Sequence, residues 1–130
     1  MTTYTSERDV KKQVKKLLDK HNYFWWMTPA NGYGSTGIAD ILAFRSGVLV
    51  AIETKFKKNV ATNNQKAFLS SIQAESGFAF IVDDTNIVWF EVWLDAFDLA
   101  MKLGDDVKSE QAQENGASLI NAVRELTMKI

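Results

Sequence analysis

The stretch Ile38–Phe56, IADILAFRSGVLVAIETKF, decides the fold. Two apolar, β-prone runs, Ile38–Arg45 and Val48–Phe56, are separated only by Ser46-Gly47, the spacing of a β-hairpin. Each run carries charge where a buried strand should carry none. Asp40 sits among Ile38, Ala39, Ile41 and Leu42, and Glu53 and Lys55 follow Val50-Ala51-Ile52. A buried ionised group costs several kcal/mol unless it is paired or bound to a metal, so these positions are chemically informative.

Side chains alternate along a strand, so Glu53 and Lys55 share one face. If Ser46-Gly47 is a two-residue turn, Arg45 pairs with Val48, opposite positions sum to 93, and Asp40 lies across from Glu53. Two facing carboxylates at roughly 5 Å repel unless positive charge sits between them. A divalent cation meets that need. An oxygen-only donor set, with no Cys and one distant His, favours Mg²⁺ or Mn²⁺ over zinc. A three-residue turn, Arg45-Ser46-Gly47, would slip the register by one and separate the two groups. In that case Glu53 and Lys55 form a local ion pair and Asp40 caps a loop.

Outward from the hairpin, Ser6–His21 reads as a helix: Ser6 and Asp9 make a capping-box-like start, and Val10, Val14, Leu17 and Leu18 fall on one stripe. Tyr23–Thr28 reads as an aromatic-rich strand, followed by the loop Pro29–Gly37, PANGYGSTG. After the polar segment Lys57–Asn64, Gln65–Ser76 is helical, with Gly77 as its stop. Phe78–Val82 and Ile87–Val92 read as strands, Leu94–Leu103 as a helix, Gly104–Gly116 as a polar loop, and Ala117–Lys129 as a closing amphipathic helix. The pattern predicts an α/β fold, a mixed sheet of about five strands flanked by helices.

Composition sets the class. At 130 residues, 46% hydrophobic and 24% charged, the chain reads as one globular domain, 1–130, with a core over about 6–103 and the closing helix at 117–129. The absence of cysteine excludes disulfides, zinc-thiolate sites and thiol nucleophiles. No apolar run approaches the ~18 residues of a membrane span, and the first residues are unlike a signal peptide, so no membrane partner and a cytoplasmic location are expected. Charge is uneven: residues 1–66 hold 11 of 15 Lys+Arg and 5 of 16 Asp+Glu, a balance of +6, against −7 for the remainder. A basic first half concentrates an anionic partner.

Gly37-Ile38-Ala39-Asp40, twelve residues, Glu53-Thr54-Lys55, and then Gln65 opening a helix resembles the PD-(D/E)XK nuclease superfamily. Within it, the small VRR-Nuc and Holliday-junction-resolvase-like enzymes are most similar. The resemblance spans about Glu7–Val82. The family's proline before the aspartate is Ala39 here, a position that shapes strand entry and does not bind metal.

The resemblance implies a restriction-endonuclease-like fold and a Mg²⁺- or Mn²⁺-dependent DNA endonuclease, acting on four-way or other branched DNA as a homodimer. Asp40, Glu53 and the backbone carbonyl of Thr54 would hold the metal, with Glu7 completing the shell. A first-turn helix-dipole role is the equal alternative for Glu7. Lys55 would orient the attacking water and offset transition-state charge, and Gln65 would touch water or substrate. Tyr33 is the aromatic chosen for DNA contact. Lys57 and Lys58 are the first choice among the basic residues, with Lys11 and Lys15 behind them. His21 reads as a helix C-terminal dipole partner, and Trp25, Trp26, Trp89 and Trp93 mostly as core. The alternative function is a non-catalytic nucleic-acid- or protein-binding module on the nuclease fold.

Overall fold

A computed structural model of the chain describes residues 3–29, 37–105, 121, 123–125 and 127. Helix α1 spans Glu7–Lys20. Ser6 caps it, its hydroxyl accepting the Asp9 N–H, and Val10, Val14, Leu17 and Leu18 form its buried stripe. The helix ends where Asn22 turns left-handed (φ 63°) and the Tyr23 N–H reaches back to the Leu18 carbonyl.

Strands β1 (Phe24–Met27), β2 (Ile41–Arg45) and β3 (Val48–Thr54) form an antiparallel meander. Ser46 and Gly47 both take positive φ, 51° and 81°, the two-residue turn whose twist matches the flanking strands. Arg45 therefore pairs with Val48 and Ile41 with Ile52. The two-residue register holds, and the next step of the ladder is Asp40 and Glu53. Helix α2 (Asn63–Ala74) then crosses over to β4 (Phe78–Val82), which pairs parallel with β3. Ser76, at φ 66°, supplies the left-handed residue that ends α2, one position before the expected Gly77.

Among the described residues the sheet has four strands, in the order β1-β2-β3-β4, and a fifth is not seen. The expected strand Ile87–Val92 is instead the opening of a helix, α3, spanning Ile87–Asp105. Its apolar residues follow helical spacing: Ile87, Phe90, Trp93, Leu94 and Phe97 are buried, while Val88 is 75% exposed. A polar turn winds the chain into it, with the Asp83 carboxylate accepting the Thr85 and Asn86 N–H groups and the Asn86 side-chain oxygen accepting the Asp83 N–H. The continuous apolarity of IVWFEVW concealed that period.

The sheet separates two cores. On one face Ile41, Ala43, Val50, Ile52, Phe78 and Phe80 pack against α1 and α3. On the other, Ala51 and Ala79 pack with Leu69 of α2. From the expected closing helix, residues 121 and 123–125 are helical, and Val123 joins the α1/α3 core. Thr127 is a bend and not helical, and the remaining residues of that helix, with residues 106–116 of the expected polar loop, lie outside the described residues. No helix among the described residues is long and apolar enough to cross a membrane.

The turn carries a direct check. Gly47→Ala places a Cβ in the left-handed region at a cost of about 1 kcal/mol, a loss of roughly 4 °C in Tm for a domain of this size. Ser46→Asn, better suited to its positive φ, shifts Tm upward. Thermal denaturation followed by circular dichroism reads both, and a neutral Gly47→Ala contradicts the register.

Candidate active site

The hairpin register and the start of α2 bring four polar side chains to one end of the sheet. Glu53, the penultimate residue of β3, is 2% exposed. Its Oε1 accepts the Gln65 Nε2–H at 2.8 Å and lies 3.7 Å from Lys55 Nζ. Its Oε2 is buried with no hydrogen-bond partner among the described residues. Asp40, just before β2, presents Oδ2 to Thr54, accepting its N–H at 3.0 Å and its hydroxyl at 2.8 Å. Asp40 Oδ1 faces Lys11 Nζ of α1 at 3.8 Å. Glu53 thus has one oxygen fixed by a hydrogen bond and one without such a bond among the described residues, and Asp40 has Oδ2 fixed by Thr54.

Gln65 is aimed by the helix it opens. Thr62 caps α2, its hydroxyl accepting the Gln65 N–H while Gln65 Oε1 accepts the Thr62 N–H at 2.9 Å. With the amide oxygen held by the cap, the amide nitrogen is left to donate to Glu53. Gly37 (φ 103°) packs against the same helix start. A Cβ there would come within 2.7 Å of Asn64 Cβ, so a larger residue would displace α2 and Gln65 with it.

Burial pushes the Glu53 carboxyl up, to about 7, and the Asp40 charge acts in the same direction while Lys55 opposes both. A carboxylate raised by burial, beside a second carboxylate, with a buried orphan oxygen, has the chemistry of a cation site. All its donors are oxygens, matching a hard divalent ion.

Other expected site residues fall differently. Glu7 stands in the first turn of α1, one helical turn before Lys11. Among the described residues it does not join Asp40 and Glu53 in a group with ligand atoms within 4.8 Å of one another. Thr54 meets Asp40 through its N–H and hydroxyl, a contact sequence reasoning missed. Lys11, ranked low as a phosphate contact, is the cation beside Asp40. Its three-residue offset from Val14, on the stripe that packs against the sheet, was the available signal. Lys15 lies over the Trp25 ring, at 5.8 Å from its centroid. The Lys57 backbone N–H bonds Asp84 and its Nζ sits 5.4 Å from the Phe56 centroid, while Lys58 is exposed. Tyr33 lies outside the described residues.

A second polar cluster lies elsewhere. His21, buried at the end of α1, contacts Asp98 of α3 through Nδ1 and lies 3.6 Å from Asp95 Oδ1 through Nε2. Arg45 pairs with the other Asp98 oxygen. These are three ligand-type side chains within metal-binding reach of one another. Arg45 and His21 both meet Asp98, which ties α1, β2 and α3 together, while His21 Nε2 is buried without a hydrogen-bond partner among the described residues and the three ligand atoms could hold a metal ion.

No family model matches the chain, and no curated protein matches it. A solved structure is similar. Hjc, a Holliday junction resolvase from the archaeal hyperthermophile Archaeoglobus fulgidus, superposes with a TM-score of 0.47 at 16% sequence identity. The match covers 58% of this chain and 66% of Hjc, slightly under two thirds of its length.

The raised Glu53 carboxyl has a stability consequence. Unfolded, the group titrates near 4.5; folded, near 7. Its protonated form therefore supports the metal-free fold fully below pH ~4.5, and that support is lost as pH rises through 7, amounting to roughly 3 kcal/mol. Glu53→Gln, which cannot ionise, is expected to be more stable than the parent in EDTA at pH 8, with the difference shrinking toward pH 5. Urea unfolding at both pH values checks this, and a variant equally destabilised at both contradicts it.

Proposed function

We propose that this chain is a divalent-cation-dependent nuclease that hydrolyses phosphodiester bonds in DNA, with branched DNA as its substrate class. The observation that carries the reading is Glu53, buried with Oε2 unpartnered beside Asp40 and flanked by Lys55. Asp40, Glu53 and the Thr54 carbonyl would hold Mg²⁺ or Mn²⁺, and Glu7 in the first turn of α1 would join that shell only by moving closer than it stands here. When bound, the ion polarises a phosphoryl oxygen and makes water a better nucleophile at neutral pH.

The chain's own groups do the remaining work. Thr54 fixes Asp40 through two hydrogen bonds, so the carboxylate needs no reorientation as substrate arrives. Gln65 holds Glu53 Oε1, leaving Oε2 as its ligand atom. Lys55, on the Glu53 face of the strand, orients the attacking water and offsets the charge that builds on the phosphorus oxygens. Lys11 supplies a second ammonium at the Asp40 side. Lys57, Lys58 and Tyr33 contact the DNA beyond the reacting phosphate, and Lys11 and Lys15 extend the basic surface along α1. A homodimer would present two such sites for cutting two strands of a junction.

Two variants test the assignment. Asp40→Ala and Lys55→Ala are each expected to reduce Mg²⁺-dependent cleavage of synthetic four-way, flapped or linear DNA by at least about a hundredfold while remaining folded. Calorimetric Mn²⁺ uptake should be present in the parent and lost in Glu53→Gln. Undiminished cutting by either alanine variant refutes the site, and absence of metal uptake by the parent points to a binding module.

A further inference from the structure

Helix α3 turns a polar edge toward the end of α1. Glu91, Asp95 and Asp98 follow one another at helical spacing. Glu91 lies 3.6 Å from Lys20, and Asp95 and Asp98 flank the His21 ring. The cluster sits at the Arg45 end of β2, whereas Asp40 lies just beyond the other end of that strand. Among the described residues His21, Asp95 and Asp98 bring ligand atoms within 4.8 Å of one another.

The two ring nitrogens of His21 have unequal surroundings. Nδ1 contacts Asp98 Oδ2, and the other Asp98 oxygen takes Arg45. A carboxylate at Nδ1 favours the tautomer with its proton there, which leaves the Nε2 lone pair free. His21 is 4% exposed, and its buried Nε2 has no hydrogen-bond partner among the described residues. It faces Asp95 Oδ1 at 3.6 Å, too far for a hydrogen bond. A proton on Nε2 would be a buried donor left unpaired. A metal ion resolves the geometry: two ligands each roughly 2.1 Å from one ion, at an angle of about 120°, are separated by this span.

The electrostatics agree. Two carboxylates, Asp95 and Asp98, outweigh the one guanidinium of Arg45, and the C-terminal end of α1 adds partial negative charge. Asp95 is 63% exposed, so an ion has an entry path and water can complete its coordination.

We propose that His21 Nε2 and Asp95 bind a borderline transition-metal ion, with Zn²⁺ as the type case, and that the ion pins the end of α1 to α3. Asp98 lies within reach of the same ion, but its oxygens are engaged by Nδ1 and Arg45, so its part is to orient the ring, a carboxylate–histidine–metal arrangement. The imidazole donor separates this site from the all-oxygen pair Asp40 and Glu53, which suits Mg²⁺ or Mn²⁺. Nothing in the pin depends on nuclease activity.

His21 is the chain's one histidine, so the imidazole ¹⁵N resonances of tag-free protein report on it alone. Zn²⁺ titrated into that protein in excess Mg²⁺ should bind at about one equivalent by calorimetry, shift the Nε2 resonance while Nδ1 keeps its proton, and raise Tm. Asp95→Asn, at an exposed position, should fold like the parent and lose at least about tenfold in Zn²⁺ affinity. Glu53→Gln should retain the parent's affinity. Absence of Zn²⁺ uptake by the parent, a shift at Nδ1 in place of Nε2, or undiminished uptake by Asp95→Asn overturns the site. Uptake lost in Glu53→Gln also overturns it, assigning the zinc to the Asp40 and Glu53 pair. Cleavage plays no part in this titration, so the pin and the nuclease reading fail separately.

Discussion

Glu53 brings a carboxylate into the interior with one oxygen unpaired, and the surrounding structure is arranged around that cost. A buried acceptor without a donor is destabilising, and a second carboxylate beside it adds repulsion. The fold offsets part of this with Gln65 and Lys55, both directed at Oε1. Oε2 is buried and accepts no hydrogen bond among the described residues. A site that stabilises one oxygen and leaves its twin bare sacrifices stability for binding capacity, the trade expected where function sets the geometry.

Three local features converge to hold it. The two-residue Ser46-Gly47 turn fixes parity across the hairpin and brings Asp40 into step with Glu53. A turn one residue longer would send one of them to the opposite face. The crossover through α2 returns the chain parallel to β3, and the Thr62 cap at its start orients Gln65. Helix α1 then closes the other side with Lys11. Local turn chemistry, a helix cap and a strand register thus specify the same few ångströms.

Much of this was legible from residue order. Ser46-Gly47 between two apolar runs announced the hairpin, and charges inside those runs marked the carboxylates. Thr62 and Gln65, three apart, already spelled a capping box, although the helix start was placed at Gln65 itself. Other features were hidden because they depend on tertiary contact. Val88 and Val92 look like strand residues until the turn at Asp83–Asn86 rotates them outward. His21 sits 77 positions from Asp98, and no local pattern pairs them. Trp26 and Trp93 are chemically alike in the sequence, yet one lies on an uncovered sheet edge and the other inside the α3 core.

The most direct test is crystallographic. Crystals soaked in Mn²⁺ and measured at the manganese edge should show an anomalous peak about 2.1 Å from both Glu53 Oε2 and Asp40 Oδ1. A peak at His21, Asp95 and Asp98 instead, or none near Glu53 at saturating Mn²⁺, contradicts the reading of this carboxylate pair as a cation site.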